Sequence, residues 1–355
     1  MQILDKHHRR TNRVIKKELK NGIIHSLPTL LEQELANLIC EVVPCAEQVR
    51  FAKNGTDADL AAVRIARSYT GKEHIVVCGY HGWGDWHGAL IRDYGIPKSM
   101  KKIVSSFEYN NLKSLEKELK KRPVAAVMIE PQALTAPNPG FLEGVRELCD
   151  KYEALLIFDE VVSGFRWDIG GAQKYYGVTP DLCCLGKAIA NGMPISAIAG
   201  KKEYMQELNH AFFSMTFGGE CLSLAAAIET IKELKTKDYS YIWELGNMLD
   251  KGIKEAAKKH NIEINFAGSA PRHNLSFPST NKDPQGMKAV FYQEMVKRGI
   301  FFPNVIYIQF SHTKRDIKKT IKAADESFKF LKDNLNNLDS VLEGKKSVDI
   351  FRKNT

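Results

Sequence analysis

Apolar runs of strand length alternate with amphipathic stretches of helical period along the first two thirds of this chain, and few architectures accept that alternation. The strand-like runs fall at 75–78, 125–129, 155–158, 182–185 and 195–199. Helical periodicity falls at 30–42, 58–69, 112–120, 143–152, 222–234 and 241–260. The pattern predicts an α/β fold, a mostly parallel sheet covered by helices. The last third changes character, with long charged helices bracketing short strands at 273–277 and 305–310. Residues 311–333 read as one helix, with Ser311 as its cap and Ile317, Ile321, Ala324, Phe328 and Leu331 on one face. The expected division is a helical N-terminal segment over 1–25, a large α/β domain over 26–234, a smaller α+β domain over 235–340 and a polar tail over 341–355.

Composition excludes several classes. At 355 residues, 44% apolar, the chain can bury a large core, and no apolar run approaches the roughly 20 residues of a membrane span. The basic opening over 1–20 lacks the apolar stretch of a signal peptide, which points to the cytoplasm. Cysteines at 40, 45, 78, 149, 183, 184 and 221 form no C-x-x-C pair, against both a disulfide framework and a zinc site. The net charge of +9 is terminal: residues 1–20 carry +5 and residues 314–355 carry +4, leaving the centre near neutral. Solvated terminal helices account for that charge without nucleic acid as a partner.

Chemistry concentrates where strands end. Asp159 ends the run 155–158, and Lys187 follows the run 182–185 within Leu185-Gly186-Lys187-Ala188. Asn54-Gly55-Thr56-Asp57 precedes a helix, whose first N–H groups and positive dipole end suit a phosphate. It is not a Walker loop, and no G-x-G-x-x-G occurs. Tyr80 and His81 lie in an aromatic, Gly-rich stretch after the run 75–78, in the crevice where open α/β sheets bind ligands. Taken singly, Lys187 also reads as a solvated loop lysine, Asp159 as a helix cap, Tyr80 as core packing and the turn as only a turn. His81, Asp85 and His87 are poor metal-ligand geometry, one carboxylate between two loop histidines, and no metal is expected. Together, the amine, the carboxylate, the phosphate turn and the aromatic ring supply what pyridoxal 5'-phosphate requires: a Schiff base, a partner for the ring nitrogen, a phosphate grip and a fixed ring plane.

These residues carry a family resemblance. Pro44-Cys45-Ala46-Glu47-Gln48-Val49-Arg50-Phe51 running into Asn54-Gly55-Thr56, Tyr80-His81-Gly82, Ile129-Glu130-Pro131 and Phe158-Asp159-Glu160-Val161 resemble class III aminotransferases. Gly164-Phe165-Arg166, Gly170-Gly171-Ala172-Gln173, Pro180-Asp181-Leu182, Leu185 to Gly192 and Thr216-Phe217-Gly218-Gly219 continue the likeness, and the F-R…G-G-A-Q segment is similar to the glutamate-1-semialdehyde 2,1-aminomutase branch. The resemblance implies fold type I, with a seven-stranded large domain, a small C-terminal domain and a homodimer with shared active sites. It makes Lys187 the Schiff-base residue and Asp159 the partner of the pyridine nitrogen, with Val161 on the ring face opposite Tyr80. Gly55 and Thr56 would bind phosphate with Thr216 of the partner subunit, and Glu130 would lie on the cofactor's hydroxyl side.

Two departures bear on the reaction. The loop after Gly82 runs quickly through Trp83-Gly84-Asp85-Trp86-His87 to Tyr94-Gly95-Ile96-Pro97, where the aminomutases carry a longer Gly/Ser-rich lid, and the segment ahead of the first long helix is reduced. A lid retains a released intermediate, so its shortening favours amino transfer between a small amino compound and a carbonyl acceptor over the intramolecular aminomutase alternative. Candidate substrate contacts are Trp83, Trp86 and Arg272, the last as a carboxylate clamp. A non-enzymatic reuse of the fold is disfavoured because both Lys187 and Asp159 are kept.

Overall fold

The computed structural model describes residues 2–5, 7–132 and 134–346; the last nine positions of the expected polar tail lie outside the described residues. The chain forms two compact units, one of residues up to 132 with 137–237, the other of 134–136 with 238–346.

The first unit is built on seven strands: β1 (Gln48–Ala52), β2 (His74–Cys78), β3 (Val104–Ser106), β4 (Val124–Ile129), β5 (Leu155–Glu160), β6 (Leu182–Leu185) and β7 (Ser196–Gly200), in the order β1-β7-β6-β5-β4-β2-β3. The run β3-β2-β4-β5-β6 is parallel. The pairings β6–β7 and β7–β1 are antiparallel. Only residues 186–195 join β6 to β7. A parallel crossover needs a dozen residues or more, so this short link turns the strand back.

The helices of this unit are α1 (Arg9–Glu18), α2 (Leu30–Val42), α3 (Gly55–Thr70), α4 (Asp85–Ile91), α5 (Leu112–Lys121), α6 (Phe141–Lys151), α7 (Gly171–Tyr176), α8 (Lys202–Met205) and α9 (Cys221–Leu234). Helix α3 opens on a capping box between Asn54 and Asp57 and stops at Gly71, whose φ of 66° favours glycine. Its inward face is mostly Ala58, Ala61, Ala62 and Ala66, small enough to bring the helix close over the sheet, where Ile157, Leu182, Cys184 and Ile198 join the same core. Arg10 ties α1 to α9 through Glu229 at 2.8 Å and Glu233 at 2.7 Å.

The second unit holds α10 (Ser240–Lys259), α11 (Pro284–Lys297), α12 (Lys314–Asp333) and α13 (Leu338–Val341) with an antiparallel sheet ordered β10-β9-β8: β8 (Asn265–Ser269), β9 (Arg272–Ser276) and β10 (Val305–Tyr307). Its own core gathers Leu245, Leu249, Phe291, Phe328 and Leu331.

Some elements depart from the sequence expectation. The cap of α12 is Thr313, not Ser311: Thr313 Oγ1 accepts from Asp316 N at 3.2 Å, and Asp316 Oδ2 accepts from Thr313 N at 2.8 Å. Strand β10 stops at Tyr307, short of the expected 310. Helix α11 was absent from the expected set because its buried face includes Gly286 and Glu294 and so does not read as apolar, although Pro284 at its start and Asp283, accepting from Gly286 N at 2.9 Å, mark the N-terminus. Strands β1 and β3 also escaped, since Gln48 and Arg50 break the apolar run and β3 has only three residues.

Candidate active site

Alternation along β5 sends its two acids to opposite faces. Glu160 is buried and wholly engaged: it accepts from Ser163 Oγ at 2.6 Å, Ala172 N at 2.7 Å and Gln173 N at 2.9 Å. Those bonds brace the Gly164–Gln173 turns, although burial raises its carboxyl above the ordinary range. Asp159 is also buried, yet among the described residues its Oδ1 accepts only from Val161 N at 3.0 Å and its Oδ2 from His81 Nδ1 at 2.9 Å. Two carboxylate oxygens offer about four acceptor sites, so capacity for a further N–H remains.

Asp159 stands opposite Cys184 on β6, and Lys187 comes three residues later, at the same C-terminal end of these parallel strands. Lys187 opens a 3-10 turn, Lys187–Ala190, with φ of 44°. A side chain held in the left-handed region costs about 1–2 kcal/mol, and such outliers cluster at functional sites. Asn191, also left-handed, closes the turn; its Oδ1 accepts from Ile3 N at 3.2 Å and Leu4 N at 3.0 Å, and its Nδ2 donates to Asp5 O at 2.8 Å. The chain start thus fastens the turn that carries Lys187.

Beneath both groups sits Asp59 of α3, buried at 2% exposure. Burial and then the Asp159 carboxylate push its carboxyl well above the ordinary range, against the opposing pull of a Cys184 hydrogen bond and the Lys187 charge. Asp59 therefore reports both Asp159 and Lys187 within electrostatic reach of one point. Sequence reading passed it over; an acid on the otherwise apolar face of α3 was the available signal.

The first turn of α3 closes the site from another side. A Cβ on Gly55 would stand 2.8 Å from Val161 Cγ1, and one on Gly82, where φ is 83°, would overlap the Thr56 hydroxyl. Gly186, just before Lys187, would place a Cβ 3.3 Å from Val161 Cγ1. Val161 is thus the floor shared by the α3 turn and the lysine turn. Tyr80 N donates to Glu130 Oε1 at 2.9 Å, which fixes the start of the aromatic loop while leaving the Tyr80 ring 43% exposed.

The remaining expected residues scatter. Trp86 is buried in the core under α3, whereas Trp83 is 79% exposed, so the two do not form one wall. Thr216 is exposed and lines a cavity of about 470 Å³ with Asn54, Asp57 and Arg64 of its own chain. Arg272 opens β9 in the second unit, opposite Tyr307 of β10 and Ser269 of β8. His87, read from sequence only as a poor metal ligand, is buried beside His81 with ring centroids 5.2 Å apart.

This donor set suits an aromatic, phosphate-bearing cation. Asp159 has acceptor capacity for a ring N–H, the tight Gly55–Thr56 helix start offers N–H groups and a hydroxyl to phosphate, and Tyr80 presents an aromatic face.

Comparison with known proteins agrees with that reading. The family pattern described as aminotransferase class-III matches residues 3–282. The chain is 37% identical to a glutamate-1-semialdehyde 2,1-aminomutase 2 of Staphylococcus haemolyticus, across 89% of this chain and 82% of the relative. Among solved structures it is similar to the FumI protein of Sphingopyxis sp. MTA144 in a pyridoxal-phosphate internal aldimine form, with 26% identity, TM-score 0.88, and coverage of 95% of this chain and 83% of that one. An omega-transaminase from Sphaerobacter thermophilus aligns at 25% identity with TM-score 0.84, over 90% of this chain and 82% of that one.

Proposed function

This chain belongs to the class-III aminotransferase family of pyridoxal-phosphate enzymes, and on that premise we propose that it moves an amino group between a small amino compound and a separate carbonyl acceptor, with Lys187 as covalent anchor and proton carrier. The observation that supports it best is the buried His81–Asp159 pair, 2.9 Å long, at the C-terminal end of the parallel strands where the strained Lys187 turn begins. The bound cofactor supplies an electron-accepting ring that stabilises negative charge on the carbon bearing the amine.

The chain's own residues divide the remaining work. Asp159 accepts from the ring nitrogen and holds its proton there, since a carboxylate in a buried site is a strong partner for a cationic N–H. Gly55 and Thr56 hold the phosphate from the N-terminus of α3. Val161 and Tyr80 would hold the ring between them, with Glu130 holding the Tyr80 backbone at 2.9 Å. Lys187 Nζ would take a proton from the substrate carbon and pass it to the cofactor carbon that bears the transferred nitrogen, which requires the neutral amine.

An intramolecular aminomutase is the second reading, favoured by the 37% identity to proteins of that name. The short loop favours intermolecular transfer: after Gly82 the chain goes directly into α4 and back to β3 at Val104. The deciding experiment supplies purified holoenzyme with glutamate-1-semialdehyde alone, or with amino donors and carbonyl acceptors in pairs. Stoichiometric keto acid from a separate donor is the expected result; 5-aminolevulinate formation without any donor would overturn it.

We further infer a homodimer in the cytoplasm. Leu27, Leu30, Phe212 and Phe217 are exposed at 78%, 82%, 79% and 56%, a cost in water that a second copy would relieve. Thr216 lies within this exposed stretch, next to Phe217, and so within reach of a partner's phosphate turn. Among the described residues no helix is long and apolar enough to cross a membrane. Light scattering of the purified protein should give twice the 40.0 kDa chain mass; a monomer at micromolar concentration would refute the dimer.

A further inference from the structure

Three side chains meet behind Asp159 that the transfer reaction does not use. His81 and His87 are 0% and 2% exposed, and Trp86 is 4% exposed. Among the described residues, His81 Nε2, both ring nitrogens of His87 and Trp86 Nε1 have no hydrogen-bond partner. Burial without a partner is costly for each group, so a cluster of four such atoms beside the His81–Asp159 pair calls for a reason.

The tautomer of His81 supplies it. Asp159 Oδ2 accepts from His81 Nδ1 at 2.9 Å, so Nδ1 carries the hydrogen. A neutral imidazole has one N–H, which leaves His81 Nε2 as a bare acceptor in need of a donor. Two donors stand near. Trp86 lies parallel to His81, at 10° with centroids 6.4 Å apart, and its Nε1 makes no hydrogen bond to Nε2 among the described residues. His87 meets His81 edge-on, at 61° with centroids 5.2 Å apart, a geometry from which a small ring rotation aims an N–H at Nε2.

We propose that His87 is a positioning residue that donates to His81 Nε2, fixing the His81 tautomer and thereby keeping its Nδ1–H on Asp159. The inference rests on the reading of Asp159 as acceptor of the cofactor's ring N–H. With Nδ1–H as a neutral donor, Asp159 is oriented without its charge being cancelled, and that charge remains available to the ring. The groups facing His87, a residue of α4, are His81 and Tyr80 from the preceding loop and Asp159 from β5. Burial pushes the His87 imidazole down to about 3, so His87 is neutral and has an N–H to give near neutral pH.

The test uses selectively 15N-histidine-labelled full-length protein without cofactor, and then the same protein titrated with pyridoxal phosphate and no substrate. In the wild type the His81 Nδ1 resonance should be protonated and Nε2 bare at pH 7.5. His87→Phe keeps bulk but removes the donor: the fraction of His81 with protonated Nε2 should rise at least about tenfold, and the dissociation constant for pyridoxal phosphate should rise by about the same factor. His87→Asn and His87→Gln each present an amide N–H from one of the two imidazole positions, and one of them should restore both readouts. A wild-type Nε2 that is protonated overturns the proposal even if His87→Phe does not fold. So does a His87→Phe protein with unchanged tautomer and affinity, or a defect that neither amide rescues. Because the tautomer is read on the free protein, a wild type that fails to bind pyridoxal phosphate would sink the functional reading and leave this one to stand or fall by itself.

Discussion

Gly55→Ala tests the claim that Val161 is a floor shared between the α3 turn and the lysine turn. The helical position should welcome alanine, which is better than glycine by up to about 1 kcal/mol in a helix interior. Yet the new Cβ would meet Val161 Cγ1 at 2.8 Å and Cγ2 at 3.0 Å. Overpacking of this kind costs about 1–3 kcal/mol, so the net loss is about 1–2 kcal/mol. Val161 N also donates to Asp159 Oδ1 at 3.0 Å, so the displaced floor takes Asp159 with it. Val161→Ala alone loses about 0.8 kcal/mol for each buried carbon removed. In the double variant the clash is gone and the helix gain survives, so it should be about 1–3 kcal/mol more stable than the sum of the singles. Urea unfolding of the four proteins, followed by circular dichroism, measures that coupling. Additivity within about 0.5 kcal/mol would show that the Gly55–Val161 contact is not what constrains the turn.

Lys187→Ala should bind pyridoxal phosphate without a covalent bond, so denaturing filtration should release all of it, and turnover should fall on the order of 10²–10⁴-fold from loss of proton transfer alone; retained covalent cofactor would reassign the anchor. His87 is depressed from 6.5 to about 3 in the folded protein, so the stability it contributes is present above pH 6.5 and is lost as pH falls toward 3. His87→Gln should therefore flatten the loss of unfolding free energy over that window, and an identical acid limb in both proteins would contradict the burial assigned to this ring. In the second unit, a Cβ on Gly246 would overlap the Ala270 carbonyl oxygen and approach Ala270 Cα to 2.6 Å. Backbone cannot yield as a side chain does, and Gly246→Ala should lower the thermal midpoint more than Gly55→Ala.

How much of this was legible beforehand depended on whether the signal was local. The runs at 155–158 and 182–185 are apolar without interruption and reappear as β5 and β6 within two residues at either end. Short or mixed elements were illegible: β1 alternates polar and apolar residues, and α11 buries Glu294 together with Met295. Asp59 left a local trace, an acid on the apolar face of α3, but a histidine in a short helix has no local signature. His87 stood out only once α4 brought its ring against His81 and Tyr80.

Sequence alone determined the periodicities that force helices onto a sheet, and the residue types able to hold a phosphate, a ring nitrogen and a Schiff base, because side-chain chemistry and local backbone preference are properties of the residues themselves. It did not determine that the sheet ends antiparallel, that Glu160 is consumed by structure while Asp159 is left with acceptor capacity, or that His87 backs His81. Those outcomes arise from which side chains the strand register and the α3 packing bring within a few ångströms, and contacts between residues as distant as 81 and 159 exist only in the folded chain.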